Sequence, residues 1–186
     1  MKRKIPKLAV KQNFAYRLFY PQIPMVLAAK YHSLLAAMPT NSCMMASDEP
    51  AMIAVSVPKG SKTNAVLRKA KNFAINWLNF RDRKIVNQLF FGNKSRDELR
   101  ALNIPYLLVF GAPVLDASVA YLICRKESEF EAGDNDLFLG RFVGAMASLD
   151  FDEYWKFEDY KPALYVGSNF RNPFWTLDQG HSAREK

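Results

Sequence analysis

The sequence predicts a mainly β fold, a β-barrel with added helices. Seven short apolar, β-leaning runs recur along the 186 residues, most of them bounded by Pro or Gly, and three helical patterns interrupt the series. Hydrophobic residues make up 49% of the chain, with 14 Phe, 8 Tyr and 3 Trp, which is enough for a substantial core. The length suits one domain over residues 1–186, with 172–186 reading as a C-terminal arm and tail.

In chain order the strand candidates begin with Ile23–Ala29, which follows Pro21, and Ala51–Val57, which lies between Pro50 and Pro58. A helical pattern over Thr63–Lys71 comes next, placing Val66, Leu67 and Ala70 on one side. Phe73–Leu78 reads as a strand, then Asp82–Phe91 as a helix with Ile85, Val86, Leu89 and Phe90 on its apolar face. Ser95-Arg96-Asp97-Glu98 fits a capping box ahead of Leu99 and Leu102, so Ser95 and Asp82 read as helix caps. Tyr106–Phe110, Val119–Cys124, Leu137–Val143 and Ala163–Val166 complete the strands. The acidic segment Glu127–Asp136 reads as a hairpin loop, because it lacks the spaced ligands of a calcium loop. Asn172-Pro173-Phe174-Trp175 is apolar enough to dock on its own domain or on a second copy.

Several function classes are disfavoured by what the chain lacks. It has only two histidines, His32 on an expected loop and His181 in the polar tail, so a His-rich metal site is not available. No Gly-x-Ser-x-Gly elbow accompanies either of them. Side-chain catalysis is poorly supported, which points to chemistry done by a bound cofactor or to none. The two cysteines, Cys43 and Cys124, sit in or beside apolar runs and read as buried free thiols, which fits a reducing cytoplasm. The basic start MKRKIPKLAVKQ has no apolar segment behind it and is not a secretory signal. No apolar run approaches the ~20 residues that span a membrane. Net charge is +8, divided as +13 over residues 1–100 and −5 over 101–186. The basic half could meet nucleic acid or an anionic cofactor, but no zinc-finger, homeodomain or RNP-like motif supports the first.

The most informative stretch is Met38–Asn72. A polar cluster, Thr40-Asn41-Ser42, precedes an Asp-Glu-Pro turn and the apolar run Ala51–Val57. That run empties into Pro58-Lys59-Gly60-Ser61-Lys62-Thr63, which opens a helix. A strand, a short cationic hydroxyl-rich loop and a helix start can together hold a phosphate. This is not a nucleotide P-loop, since Lys does not follow Gly60 and Val55 stands where the first Gly belongs. Local sequence leaves a second reading open, in which Lys59 and Lys62 are solvated charges and Thr63 is an N-cap.

The order of these pieces resembles the flavin reductase family, the FMN-binding split β-barrel proteins that include flavoredoxins. Tyr20-Pro21-x-Ile23-Pro24, Ala37-Met38-Pro39-x-Asn41-Ser42 and Ser47-Asp48-Glu49-Pro50 carry the first part of the likeness. Ser56–Thr63, Asn72–Asn76, Gly92-x-x-Ser95-Arg96-Asp97, Glu131–Asp134 and Tyr160–Gly167 carry the rest. The resemblance implies that Met38, Pro39, Thr40, Asn41 and Ser42 line the flavin ring. It further implies that Ser56, Lys59, Ser61, Lys62 and Thr63 hold the phosphate of FMN, and that Ser95 and Arg96 approach the flavin. It also implies a homodimer with sites near the subunit interface, and NADH, NADPH or a redox protein as electron donor. Many members carry His after the Gly-Asp of the late hairpin, where this chain has Asn135. That departure favours, as an alternative to a flavin reductase, an electron carrier without its own nicotinamide site.

Overall fold

Residues 7, 9–91, 95–149, 151–157, 160–167 and 174–176 are described by a computed structural model. Gly92, Phe170, the Asn172-Pro173 pair and His181 lie outside the described residues.

β1 (Met25–Tyr31) shows how the sheet is organised. Met25, Val26, Leu27, Ala28 and Ala29 are all buried, so the strand has a core on each face and reads as an apolar run rather than an alternation. β2 (Leu34–Thr40), β3 (Cys43–Asp48), β4 (Ala51–Pro58) and β5 (Asn72–Leu78) follow. The short β6 (Tyr106–Val109) and β7 (Ala112–Leu115) form a hairpin. β8 (Ser118–Ala132) and β9 (Asn135–Ala147) are long and antiparallel. Seven strands share one antiparallel sheet in the order β2-β1-β5-β8-β9-β4-β3.

One core gathers residues from every strand of that sheet. Leu27, Ala36, Val55, Phe73, Ile75, Cys124 and Phe138 pack together, with Met38 and Cys43 from the two edge strands against them. A flat sheet cannot bring its two edges to one core, so this sheet curls into a barrel. α1 (Lys62–Leu67) adds Val66 and Leu67 to the same core. A second core on the outer face of β1 and β2 packs Val26, Leu35 and Ala37 against α2 (Arg83–Phe90) and α3 (Glu98–Ala101). Phe174, 4% exposed, joins this second core. Gly140 is the tightest point of the wall, since a Cβ there would lie 2.5 Å from Phe73 Cζ and 2.7 Å from Cys124 Cβ.

The mainly β barrel with helices agrees with the sequence, and the details differ in four ways. β2 and β3 went unread, because Pro39 and the polar Thr40-Asn41-Ser42 cluster broke the pattern. β2 tolerates Pro39 because it is an edge strand. Leu35 and Ala37 turn their N–H groups away from β1, and Pro39 falls in the same alternation, so no ladder bond is lost. Secondly, Glu127–Asp136 is not a loop: only Gly133 and Asp134 turn, with Gly133 at φ +63°, and the acidic residues alternate along paired strands. Thirdly, α1 stops at Leu67 rather than Lys71, and its N-cap is Ser61, not Thr63. Finally, α3 is capped by Asp97, whose carboxylate accepts the Arg100 N–H at 3.0 Å, while Ser95 Oγ donates to Asp97 O. Asp82 holds the N-cap position of α2 without a side-chain cap bond and meets Arg81 instead.

Candidate functional site

The β4–α1 connection is built by its own side chains. Ser61 Oγ donates to Pro58 O at 2.8 Å and accepts the Asn64 N–H at 3.1 Å, which folds the loop into the helix start. Asn64, 2% exposed, donates to Val57 O at 3.2 Å and to Asp136 Oδ2 at 2.9 Å. α1 is thereby fastened to β4 and β9. Arg68 approaches the same Asp136 oxygen at 3.5 Å.

Beside this loop lies a cavity of ≈ 660 Å³ whose walls include Ala37, Met38 and Pro39 of β2, Ser61, Lys62 and Thr63, and Leu89 and Phe90 of α2. Phe91 and Glu98 complete it. A smaller chamber of ≈ 150 Å³ shares Pro39 and Phe90 with it and adds Thr40, Asn41, Tyr20 and Tyr165. The two make a bent cleft with an aromatic end and a polar, cationic end. Burial pushes the Tyr20 phenol up, and its hydrogen bond with Asn41 partly offsets that.

Of the sequence-predicted residues, Met38, Pro39, Ser61, Lys62 and Thr63 meet in the larger cavity, and Thr40 and Asn41 in the smaller. Ser42 and Ser56 line neither. They meet one another through the backbone, Ser56 N–H donating to Ser42 O at 2.9 Å. Lys59 turns toward the β8–β9 hairpin, where its ammonium pairs with Glu131 at 3.1 Å. Ser95 and Arg96 contribute carbonyls rather than side chains. Ser95 O accepts from Lys62 Nζ at 2.5 Å and Arg96 O accepts the Leu35 N–H at 2.7 Å.

Several lining residues escaped the sequence reading, Phe90 and Glu98 most clearly. Phe90 was assigned only to a helix face, yet it borders both cavities. Glu98 was read as the capping-box partner of Ser95; its carboxylate instead accepts the Ala37 N–H at 2.9 Å and pairs with Lys62 at 3.3 Å. No local pattern marks either contact, because Ala37 is 61 positions away in the chain. Among the described residues no three His, Cys, Asp or Glu side chains gather as a metal site. None of the described helices is long and apolar enough to cross a membrane.

On the far side of the barrel a second cavity, ≈ 630 Å³, is almost wholly apolar, with Met44, Met45, Trp77, Met146, Phe151 and Trp155 in its walls. Cys43 also borders it, and burial pushes that thiol up to about 11.

Comparison with known proteins places this architecture. An uncharacterized protein from Aeropyrum pernix is 32% identical over 163 residues, 83% of this chain and 61% of that protein, so the chain spans about three-fifths of that relative's length. The reductase component of 4-nitrophenol 4-monooxygenase/4-nitrocatechol 2-monooxygenase from Rhodococcus opacus is 26% identical over 142 residues, 73% of this chain and 69% of that one. The crystal structure of an FMN-binding protein from Thermus thermophilus superposes with a TM-score of 0.76 at 21% identity, covering 94% of this chain and 95% of that chain. The family profile described as "Flavin reductase like domain" matches residues 16–173, from ahead of β1 to beyond β9, and the chain belongs to that family.

Proposed function

We propose that the bent cleft binds FMN, and that the protein is a flavin reductase-type oxidoreductase that takes hydride from NADH or NADPH and passes electrons to an acceptor. One observation carries this reading. Ser61, Lys62 and Thr63 share a ≈ 660 Å³ cavity with Met38 and Pro39, and Pro39 and Phe90 also border the adjoining chamber lined by Thr40 and Asn41. FMN needs an apolar slot for its ring, polar groups at the ring edge and hydroxyl or cationic groups for its phosphate. The two cavities offer all three, and the larger lies within the roughly 300–1,000 Å³ typical of cofactor sites.

When bound, the flavin supplies the hydride- and electron-accepting chemistry. The protein's own residues hold and shield. Met38, Pro39 and Phe90 give apolar walls that exclude water. Thr40 and Asn41 offer amide and hydroxyl groups to a polar edge, with Ser42 next to them in the chain. Ser61, Lys62 and Thr63 face the anionic end, with Ser56, Lys59, Ser95 and Arg96 behind them. No side chain need act as acid or base.

The name of the Rhodococcus relative, a reductase component, supports a nicotinamide-driven role, and that of the Thermus protein supports FMN. The visible spectrum of the purified protein, repeated anaerobically after adding NADH or NADPH, tests the reading. A flavin spectrum that bleaches is expected. No flavin even after FMN is added overturns the cleft assignment. A flavin that stays oxidised favours the carrier reading, which one observation supports. Asn135, where many family reductases carry His, stands opposite Pro58 at the foot of the β4–α1 loop, and Asp134 O accepts the Lys59 N–H there. We further infer that a second copy of the chain covers the methionine-lined cavity, since Met44, Met45 and Met146 are 68%, 51% and 64% exposed around it.

A further inference from the structure

Among the described residues, Lys62 is the cation lining the larger cavity, and it is already engaged by the protein. Its ammonium donates to Leu35 O at 3.0 Å and to Ser95 O at 2.5 Å, and it pairs with Glu98 Oε1 at 3.3 Å. Two of the ammonium's three protons go to backbone carbonyls, and the Glu98 carboxylate beside it balances its charge. Glu98 is itself 4% exposed, and its other oxygen accepts the Ala37 N–H, so the carboxylate cannot swing away without stranding a buried donor. A buried carboxylate and its counter-ion therefore form part of the wall of a cavity meant for an anion.

Two consequences follow from Coulomb's law. A phosphate entering beside Lys62 meets Glu98 as well, and the carboxylate cancels most of the lysine's pull from a distance and a substantial part of it at contact. An uncharged ligand with the same ring meets no such opposition. Building on the flavin reading above, we propose that Glu98 is the specificity-determining residue of the cleft. By holding Lys62, it keeps the site nearly indifferent to the ligand's phosphate, so that the flavin is retained mainly by its ring and can be exchanged. Lys62 is then chiefly a clamp joining α1 to β2 and to the segment before α3.

The test compares FMN with riboflavin, which lacks only the phosphate. Quenching of flavin fluorescence gives both dissociation constants for the wild-type protein and for Glu98→Gln. The glutamine keeps an oxygen for the Ala37 N–H and removes the charge. Wild type is expected to prefer FMN by less than about tenfold, and Glu98→Gln to raise that preference by about three- to tenfold as Lys62 is released toward the phosphate. A merely structural role for Glu98 would weaken both flavins equally and leave the ratio unchanged, which overturns the proposal. A wild-type preference above about a hundredfold also overturns it, and that measurement stands even if the variant fails to fold. If neither flavin binds the wild type, the flavin reading falls and this inference with it. If both bind and only the ratio disagrees, the flavin reading survives alone.

Discussion

The cavity beside the β4–α1 loop and the methionine-lined cavity are nearly equal in size, ≈ 660 and ≈ 630 Å³, and their walls have little in common. The first is assembled where an edge strand of the barrel, β2, meets elements outside the wall: the β4–α1 loop, α2 and α3. The second is a continuation of the barrel's own apolar lining, through Met25, Ile53, Trp77 and Phe142. Volume alone does not distinguish a ligand site from an apolar contact surface. What separates them is convergent polar groups that fix an orientation, which the first cavity has and the second lacks. An apolar opening rimmed by flexible methionines suits a protein surface, because methionine adapts to the shape it meets.

Variants can break that contrast, beginning with what both cavities share. Gly140→Ala puts a methyl between Phe73 and Cys124, where no space exists, and should cost about 3 kcal/mol of stability, read as a lowered midpoint in urea. Asn64→Ala unties α1 from Asp136 and Val57, leaving buried partners unpaired. A loss of about 2 kcal/mol is expected, with weaker FMN binding and an unchanged methionine-lined cavity. Sedimentation would check that the oligomeric state is unaltered. Met146→Glu acts on the other side: it should shift the protein toward monomer at equal concentration while leaving the visible flavin spectrum of the isolated chain intact. A dimer that persists removes the second copy from that cavity. Lys59→Ala should be the mildest. Its pair with Glu131 is solvent-facing, so stability should move by less than about 1 kcal/mol, and FMN affinity by little if the ammonium stays on the hairpin.

The sequence carried the central strands well, and for a physical reason. β1, β4, β5 and the barrel-facing parts of β8 and β9 are buried enough to read as apolar runs, and Pro marks the start of β1 and both ends of β4. The edges were harder. β2 holds two small alanines, a methionine and a proline, and it is a strand because β1 pairs with all of it. The outer arm of β8 is polar because beyond Arg125 it pairs only with β9, so its charges mimic a loop. At the site, Ser61, Lys62 and Thr63 were legible as one motif because they are consecutive. Their meeting with Met38 and Pro39 was legible only through the family likeness. The Lys62–Glu98–Ala37 arrangement was not legible at all, since it joins three distant segments through one side chain and one backbone N–H.

The sealing of the β2 edge has a kinetic consequence. Leu35 and Ala37 amides are protected not by a neighbouring strand but by Arg96 O and by the Glu98 carboxylate. Their protons can exchange with solvent whenever the segment around residues 96–98 lifts, with the barrel still closed. Amides on β5, held between β1 and β8, need a much larger opening. Deuterium uptake at these two positions is therefore a clock for the parting of the cleft wall, and the difference between Leu35 and Ala37 would time the backbone seal against the side-chain seal.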